Sequence, residues 1–299
     1  MNILITGGSG LLGRQLTRAL LNKGYTVSHL SRTQGNDPKV KTYVWDVDKG
    51  IIDEFCIDGV DTVVHLAGAG IAEKHWTESR KKELVDSRTR SIGLIYDLLK
   101  KKKHQVTSLI SASAVGYYSD RGDELMTETN APNDDFIARC CTAWEAAVDE
   151  GEKLGLRVVK FRTGVVLDKA GGALPKLALP IKLYVGSPIG SGKQWTPWIH
   201  WLDVIDMYLY GIENTALKGI YNMVAPNPVT NKQLTQAVAK QLHKPLWAPN
   251  VPAFILKLIM GEMSTVVLGS TRVSAKKIQD AGYSFKFTDL PAALKEIYG

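Results

Sequence analysis

Two stretches of this sequence carry residue types at spacings that suit chemistry. The first is Thr6-Gly7-Gly8-Ser9-Gly10-Leu11-Leu12-Gly13. Gly7 permits a tight turn, Gly10 lets the backbone come close to a ligand, and Gly13 lets the next element pack tightly. Bare backbone N–H groups suit the oxygens of a pyrophosphate, which a Cβ atom would hold away. The second stretch is Ser111-Ala112-Ser113-Ala114-Val115-Gly116-Tyr117-Tyr118. Ser113, Tyr117 and Tyr118 bring hydroxyls that can hydrogen-bond a substrate carbonyl or exchange a proton with it. Loop packing is the competing role for the two tyrosines.

Regular elements must position these groups. Ile3 to Ile5 reads as a buried strand, and Leu11 to Leu20 repeats apolar residues at helical spacing. Strand, glycine turn and helix together form a dinucleotide cradle, with Gly7, Ser9, Gly10, Leu11, Leu12 and Gly13 along the phosphates. A second strand, Tyr25 to Leu30, ends in Ser31-Arg32-Thr33 with no acidic residue to accept from ribose hydroxyls. Ser31 and Arg32 suit a 2′-phosphate, so NADP(H) is expected over NAD(H). A third strand, Val40 to Trp45, ends at Asp46-Val47, the edge of an adenine pocket. A fourth, Asp61 to Leu66, runs into Ala67-Gly68-Ala69-Gly70, so that Leu66, Ala67 and Gly68 lie against the cofactor. His65, inside the apolar run, is a core histidine.

A fifth strand, Val106 to Ile110, delivers the hydroxyl stretch, with Ser111 toward the cofactor and Ser113, Tyr117 and Tyr118 toward catalysis. A sixth, Leu156 to Phe161, leads into Arg162, Gly164, Val165 and Val166, the last cofactor contacts. Helices fill the gaps. Thr77 caps one running to about Lys100, and Asp134 or Asp135 begins another through Leu154. Arg80, Arg88 and Arg90 sit on the long helix; most such arginines face solvent, but one near the phosphate loop could touch the cofactor.

Strands alternating with helices predict an α/β fold, a Rossmann-type doubly wound parallel sheet over residues 1–168. Residues 169–299 form a smaller, mainly helical substrate lobe, with parts of 200–225 folding back into the first domain and 250–299 a separate helical segment. After Asp168, glycines and Pro175, Pro180, Pro188 and Pro197 mark loops. Trp195, Trp198 and Trp201 suit either an apolar pocket or lobe core. Asp203 sits near the start of a helix, Leu202 to Ile212, as a cap. Thr230 caps another through Leu242, and three amphipathic segments lie near 252–260, 272–281 and 289–298.

The 299 residues carry a formal charge of +7 and 44% hydrophobic residues. No apolar run reaches the ~18 residues of a membrane helix, and no basic leader precedes the first strand. Cys56, Cys140 and Cys141 show no metal-ligand spacing. These features predict a cytoplasmic protein without metal, membrane or nucleic-acid partners, acting on a small molecule as a monomer or homodimer. The run Lys100 to Lys103 with His104 lacks interleaved aromatics, as a solvated helix end would.

The glycine loop resembles the TGxxGxxG signature of extended and atypical short-chain dehydrogenases/reductases, and Ser111-Ala112-Ser113 resembles that superfamily's serine-bearing strand end. Residues 192–203, Gly-Lys-Gln-Trp-Thr-Pro-Trp-Ile-His-Trp-Leu-Asp, are similar to a substrate-lobe motif of its sugar-nucleotide epimerases. Val251-Pro252, Gly261-Glu262-Met263, Ser270-Thr271-Arg272-Val273, Ala281-Gly282-Tyr283 and Asp289-Leu290-Pro291-Ala292-Ala293-Leu294 resemble the C-terminal domain of one atypical group, the epimerase family of 39U type. The resemblance covers essentially the whole chain. It implies an NADP-binding epimerase or oxidoreductase acting on a carbonyl or nucleotide-sugar substrate.

One departure bears on that implication. The superfamily uses Tyr-x-x-x-Lys on the helix after the serine strand, the lysine lowering the tyrosine pKa and holding the nicotinamide ribose. Aligning on Glu145 puts Ile137 in the tyrosine slot and Cys141 in the lysine slot. Neither can do that chemistry. A non-catalytic NADP-binding redox sensor or scaffold is therefore the alternative.

Overall fold

The computed structural model describes all 299 residues. The chain opens with β1 (Asn2–Thr6), α1 (Leu11–Asn22), β2 (Thr26–Ser31), β3 (Lys41–Asp46), the short β4 (Ile51–Ile52), β5 (Thr62–His65), α2 (Glu78–Lys101) and β6 (Ser108–Ala114). β7 (Leu125–Met126), α3 (Phe136–Asp149), β8 (Arg157–Thr163), β9 (Val165–Asp168), β10 (Gly171–Gly172) and α4 (Ala173–Lys182) follow. Then come β11 (Trp195–Thr196), β12 (Trp198–His200), α5 (Trp201–Glu213), β13 (Gly219–Met223), β14 (Val229–Thr230) and α6 (Asn231–Gln241). The tail holds α7 (Ala253–Met260), α8 (Thr265–Leu268), β15 (Arg272–Val273), α9 (Lys276–Asp280) and α10 (Leu290–Tyr298).

The central sheet has eight strands in the order β13-β8-β6-β5-β1-β2-β3-β4. Every pair is parallel except β3 with β4. The sequence reverses direction across the sheet between β1 and β5, the place where a doubly wound fold binds its ligand. β1 and β5 are buried on both faces, which is why they read as unbroken apolar runs. α1 packs with α5 on one face, α2 with α3 on the other. β13 brings residues 219–223 back into this sheet beside β8.

Capping follows the side chains. Thr77 and Asp135 accept from Arg80 N and Ala138 N at the starts of α2 and α3, and Thr230 with Gln233 forms a full capping box on α6. α2 ends as a solvated, ion-paired terminus, where Lys102 pairs with Asp58 at 2.9 Å and lies over Phe55.

Several details differ from the sequence expectation. β6 extends to Ala114, so the serines lie inside the strand and not beyond it. β2 and β3 are joined without a helix. The glycine- and proline-rich stretch after Asp168 contains α4, because Pro175 falls in its first turn, where no N–H is needed. Pro180 stands near its end, two residues before it stops. Asp203 does not cap α5: the His200 ring nitrogen accepts from Leu202 N in that role. The Asp203 carboxylate instead accepts from Lys286 N at 2.8 Å and Phe287 N at 3.0 Å, pinning the C-terminal tail. The three tryptophans have different surroundings. Trp198 is fully buried, whereas Trp195 donates to Asp123 and lies beside the Arg272 guanidinium, and Trp201 packs beside His200.

Candidate functional site

The glycine turn is closed by Gly10 N donating to Gly7 O at 3.0 Å. Gly7 has φ +72°, and a Cβ there would stand 2.9 Å from the Leu66 carbonyl carbon. A Cβ on Gly13 would come within 2.3 Å of Gly7 O. These two glycines are demanded by the chain's own backbone. Gly10 differs: a Cβ there meets only Gly7 O, at 3.2 Å, and otherwise points into open space. No side chain caps α1 at this end. An open glycine beside an uncapped helix start, with positive dipole and unused N–H groups, is a cradle that fits a pyrophosphate.

The neighbouring residues line the same end of the sheet. Ser9 is exposed, and Leu11 and Leu12 are half-buried in the first turn of α1. Leu66 N and Ala67 N bond to Thr6 O and Thr6 Oγ1, each at 3.2 Å, so the stretch to Gly68 runs beside the glycine turn. At the end of β2, Ser31 is half-buried, and Arg32 is exposed and paired with no carboxylate. Asp46 ends β3 beside Val47, but its carboxylate is engaged by Lys49, which holds its pKa below the usual range. His65 is sealed in the core between Thr6 Oγ1 at 2.9 Å and Ser91 Oγ at 3.3 Å, and burial pushes its pKa down to about 4.

At the end of β6 the side chains interlock. Ser113 Oγ donates to Glu145 Oε1 at 2.6 Å. Arg162 grips the same carboxylate through Nε and Nη2, both at 2.8 Å, while its Nη1 donates to the Tyr118 oxygen at 2.9 Å. Tyr118 in turn donates to Asn222 Oδ1 at 2.7 Å. Ser113, Glu145, Arg162, Tyr118 and Asn222 are all buried. Burial works against the Arg162 charge, but the two-point pair with Glu145 more than offsets it and holds the guanidinium above its usual value. Burial also pushes the Tyr118 phenol up to about 12 despite Arg162 beside it.

Of the three hydroxyls expected to do chemistry, Tyr117 alone keeps an exposed edge. Its ring lies 3.4 Å from the Arg162 guanidinium and meets Tyr118 edge-on. Ser111 is fully buried, with its hydroxyl on Ala112 O. Gly164 passes under Pro197 O, which a Cβ would meet at 2.4 Å, and Val165 and Val166 open β9 beside Trp198 and Ile199 of β12.

Ile137 and Cys141 share a face of α3 toward this end. A Cβ on Gly116, next to Tyr117, would meet Ile137 Cγ2 at 2.3 Å and Cys141 Sγ at 3.6 Å. Cys141 is buried, and burial, with Cys140 and Glu145 nearby, drives its thiol pKa far upward. Burial there disfavours the thiolate.

The sequence reasoning used Glu145 to align the helix and missed it as a site residue. Its signal was there: a carboxylate at the buried spacing of Ala138, Cys141, Glu145 and Val148, facing a strand that carries Arg162 within an apolar run. Asn222, far away in sequence, left no signal.

Comparison with known proteins places this geometry. The model of the NAD dependent epimerase/dehydratase family matches residues 3–223, and that of a domain of unknown function (DUF1731) matches residues 251–297. The Bacillus subtilis epimerase family protein YfhF is 38% identical over 299 residues, 99% of this chain and 98% of its own. The crystal structure of the human epimerase family protein SDR39U1 (isoform2) with NADPH superposes with a TM-score of 0.87 at 30% identity, covering 100% of this chain and 99% of that one. The nucleoside-diphosphate sugar epimerase of Corynebacterium glutamicum gives a TM-score of 0.81 at 33% identity, matching 100% of this chain and 58% of that longer one.

Proposed function

This chain belongs to the NAD dependent epimerase/dehydratase family, and from that premise we propose that it binds NADP(H) and acts as an oxidoreductase or epimerase on a small carbonyl or nucleotide-sugar substrate. The observation that carries the cofactor half is the pairing of an open Gly10 cradle with an unpaired, exposed Arg32 at the end of β2. The human relative crystallised with NADPH and the relative described as a nucleoside-diphosphate sugar epimerase support the cofactor and the substrate class. Gly7, Ser9, Gly10, Leu11, Leu12 and Gly13 hold the phosphates. Ser31 and Arg32 take the 2′-phosphate, while Asp46 and Val47 edge the adenine. Leu66, Ala67 and Gly68 back the dinucleotide and Gly164, Val165 and Val166 close the nicotinamide end, whereas Ser111 and Arg162, expected as contacts from the sequence, are buried and bonded within the chain and support that end from beneath.

The cofactor supplies hydride chemistry when bound. The protein must then move a proton at the substrate oxygen. Tyr117 is the proton-handling residue in this proposal, because its phenol has both an accessible edge and a cation against its ring. Ser113 and Tyr118 act through Glu145 and Arg162, fixing the guanidinium under Tyr117. Turnover of NADPH with a panel of ketones and nucleotide sugars tests the proposal, followed by loss of reduced-nicotinamide absorbance. Tyr117→Phe should lower the rate by about 10²-fold or more while leaving NADPH affinity unchanged. An unchanged rate removes Tyr117 from the chemistry.

A second reading, a redox sensor that binds NADP(H) without turnover, is favoured by one observation: the face of α3 bearing Ile137 and Cys141 carries neither a tyrosine nor a lysine. Tight NADPH binding with no turnover across the panel, plus a protein partner captured in only one redox state, would support it.

A further inference from the structure

α7 buries none of its side chains. Its sequence, Ala-Phe-Ile-Leu-Lys-Leu-Ile-Met, is apolar all round, a composition that ordinarily belongs inside a protein. α10, by contrast, turns Leu290, Ala293, Leu294 and Ile297 into the core. On α7, Phe254, Leu258 and Ile259 are 69%, 83% and 62% exposed.

Two further segments extend this surface. Leu183 and Tyr184 are exposed just past α4, and Trp247 is exposed in the loop before α7. Lys244 ties the two together: its Nζ donates to the Tyr184 oxygen at 2.6 Å and lies 4.0 Å from the ring centre. Residues 188–190 pair with Val251, two residues before α7. Val251 N donates to Pro188 O at 2.9 Å, and Gly190 N to Val251 O at 2.8 Å.

The charge on these segments has one sign. Residues 169–202 hold four lysines and residues 214–261 hold five, with no aspartate, glutamate or arginine in either stretch. The ion pairs of the protein all use other cations. Lys182, Lys193, Lys232 and Lys257 are exposed. Glu262, the first carboxylate after α7, is held by Lys81 of α2 at 2.6 Å.

Exposed aliphatic and aromatic groups set among lysines without carboxylates suit an anionic lipid surface. Apolar side chains enter the acyl boundary, Trp and Tyr sit at headgroup level, and lysines reach the lipid phosphates. The eight residues of α7 span ~12 Å, too short for the ~30 Å hydrocarbon core but long enough to lie along it. A second copy of the chain suits the charge less well, because a two-fold contact would set lysines against lysines with no carboxylate between them. We infer that α7, with Leu183, Tyr184 and Trp247 beside it, docks on a membrane surface rich in anionic phospholipid. The expectation of no membrane partner came from the lack of a spanning segment, which a helix lying in the interface does not need. The inference stands apart from the dinucleotide reading and uses no side chain of that site.

Flotation of the full-length protein with lipid vesicles tests it. One set of vesicles contains phosphatidylglycerol with phosphatidylcholine, the other phosphatidylcholine alone. The protein should float with the first and not with the second, and less so at high salt. The double change Phe254→Ser with Leu258→Ser should weaken binding by about tenfold or more, and Lys257→Gln by about fivefold, the scale of one cation at an anionic surface. The altered side chains are exposed, so melting temperatures should stay within about 2 °C of the unmodified protein. Trp247→Ser is the independent apolar variant should the double one misfold. Selective flotation that the folded variants lose supports the inference. No flotation, equal flotation with both kinds of vesicle, or flotation unaltered in the folded apolar variants overturns it. A dimer that these variants dissolve, in a protein that does not float, also overturns it and makes the face a contact between copies.

Discussion

At the glycine turn the chain excludes side chains; at the end of β6 it packs Ser113, Glu145, Arg162, Tyr118 and Asn222 into one hydrogen-bonded block. The first end meets a ligand with backbone, the second with the rim of a polar core. Backbone recognition leaves little to tune, since the amides are fixed by the strand-turn-helix path. The second end can be altered one side chain at a time, and in this chain the α3 face beside it carries Ile137 and Cys141. Conserving a cradle and changing a chemistry are thus separable in one fold.

The largest expected effect comes from opening the polar block. Glu145→Leu removes the only carboxylate on Arg162 and leaves a buried, unpaired guanidinium, which costs about 3–5 kcal/mol. The same change should leave the glycine turn untouched. Chemical denaturation of the variant should show this loss, and the folded fraction should still bind 2′,5′-ADP. A stability within about 1 kcal/mol of the unmodified protein would mean the block is solvated and the contrast between the two ends is false.

His65 joins the two ends, touching Thr6 on one side and Ser91 on α2 on the other. Its pKa is about 4 in the fold against ~6.5 in an unfolded chain, so the unfolded state binds the proton first. Its contribution is complete above pH ~6.5 and is lost as pH falls toward 4, on the order of 3 kcal/mol in all. His29 and His200 are shifted the same way by burial. Stability measured from pH 7 to 4 should therefore fall, and His65→Gln should reduce that slope. An equal slope in the variant would show that His65 is hydrated.

At the cradle, Gly10→Val should keep the fold, since its Cβ meets only Gly7 O, but lose the stabilisation NADPH gives, about 2.7 kcal/mol at a hundredfold excess over Kd. A variant that NADPH still stabilises would reduce the loop to a plain turn. Arg32→Asp acts through one charge-assisted pair, about 1.5–3 kcal/mol, or roughly tenfold to a hundredfold in affinity. It should bring NADPH down to the level of NADH. Equal affinity of the unmodified protein for both cofactors would end the 2′-phosphate assignment.

The same contrast explains what could be read from the sequence. β1, its glycines and α1 were legible because local spacing alone decides them: a buried strand, a turn with φ above zero, an apolar helical stripe. The sheet followed from alternation. The polar block was half legible. Ser113, Tyr118 and Arg162 were visible as candidates, but the block closes through Glu145, 32 residues from Ser113, and Asn222, 104 from Tyr118. No local pattern announces such partners. Asp203 was misjudged for the same reason, since its helix-start position suggested a cap while its ligands arrive from residues 286 and 287.

The smallest expected effect is at Cys141, and it tests the contrast most finely. Cys141 lies on α3 four residues after Ile137, facing Gly116 beside Tyr117. A thiol buried this deeply stays protonated, because burial drives its pKa far above the ordinary cysteine value. It can therefore neither attack an electrophile nor pair with an anion. Cys141→Ala should change NADPH affinity by no more than a factor of about two to three, since only a weak S–H donor is lost. Any turnover should survive, and iodoacetamide should leave the native thiol unmodified until the protein unfolds. Abolished turnover with intact binding, or rapid alkylation in the native state, would make Cys141 a reactive group. The apolar face of α3 would then be a catalytic surface in its own right, and the two ends of the groove would differ in chemistry without differing in their capacity for it.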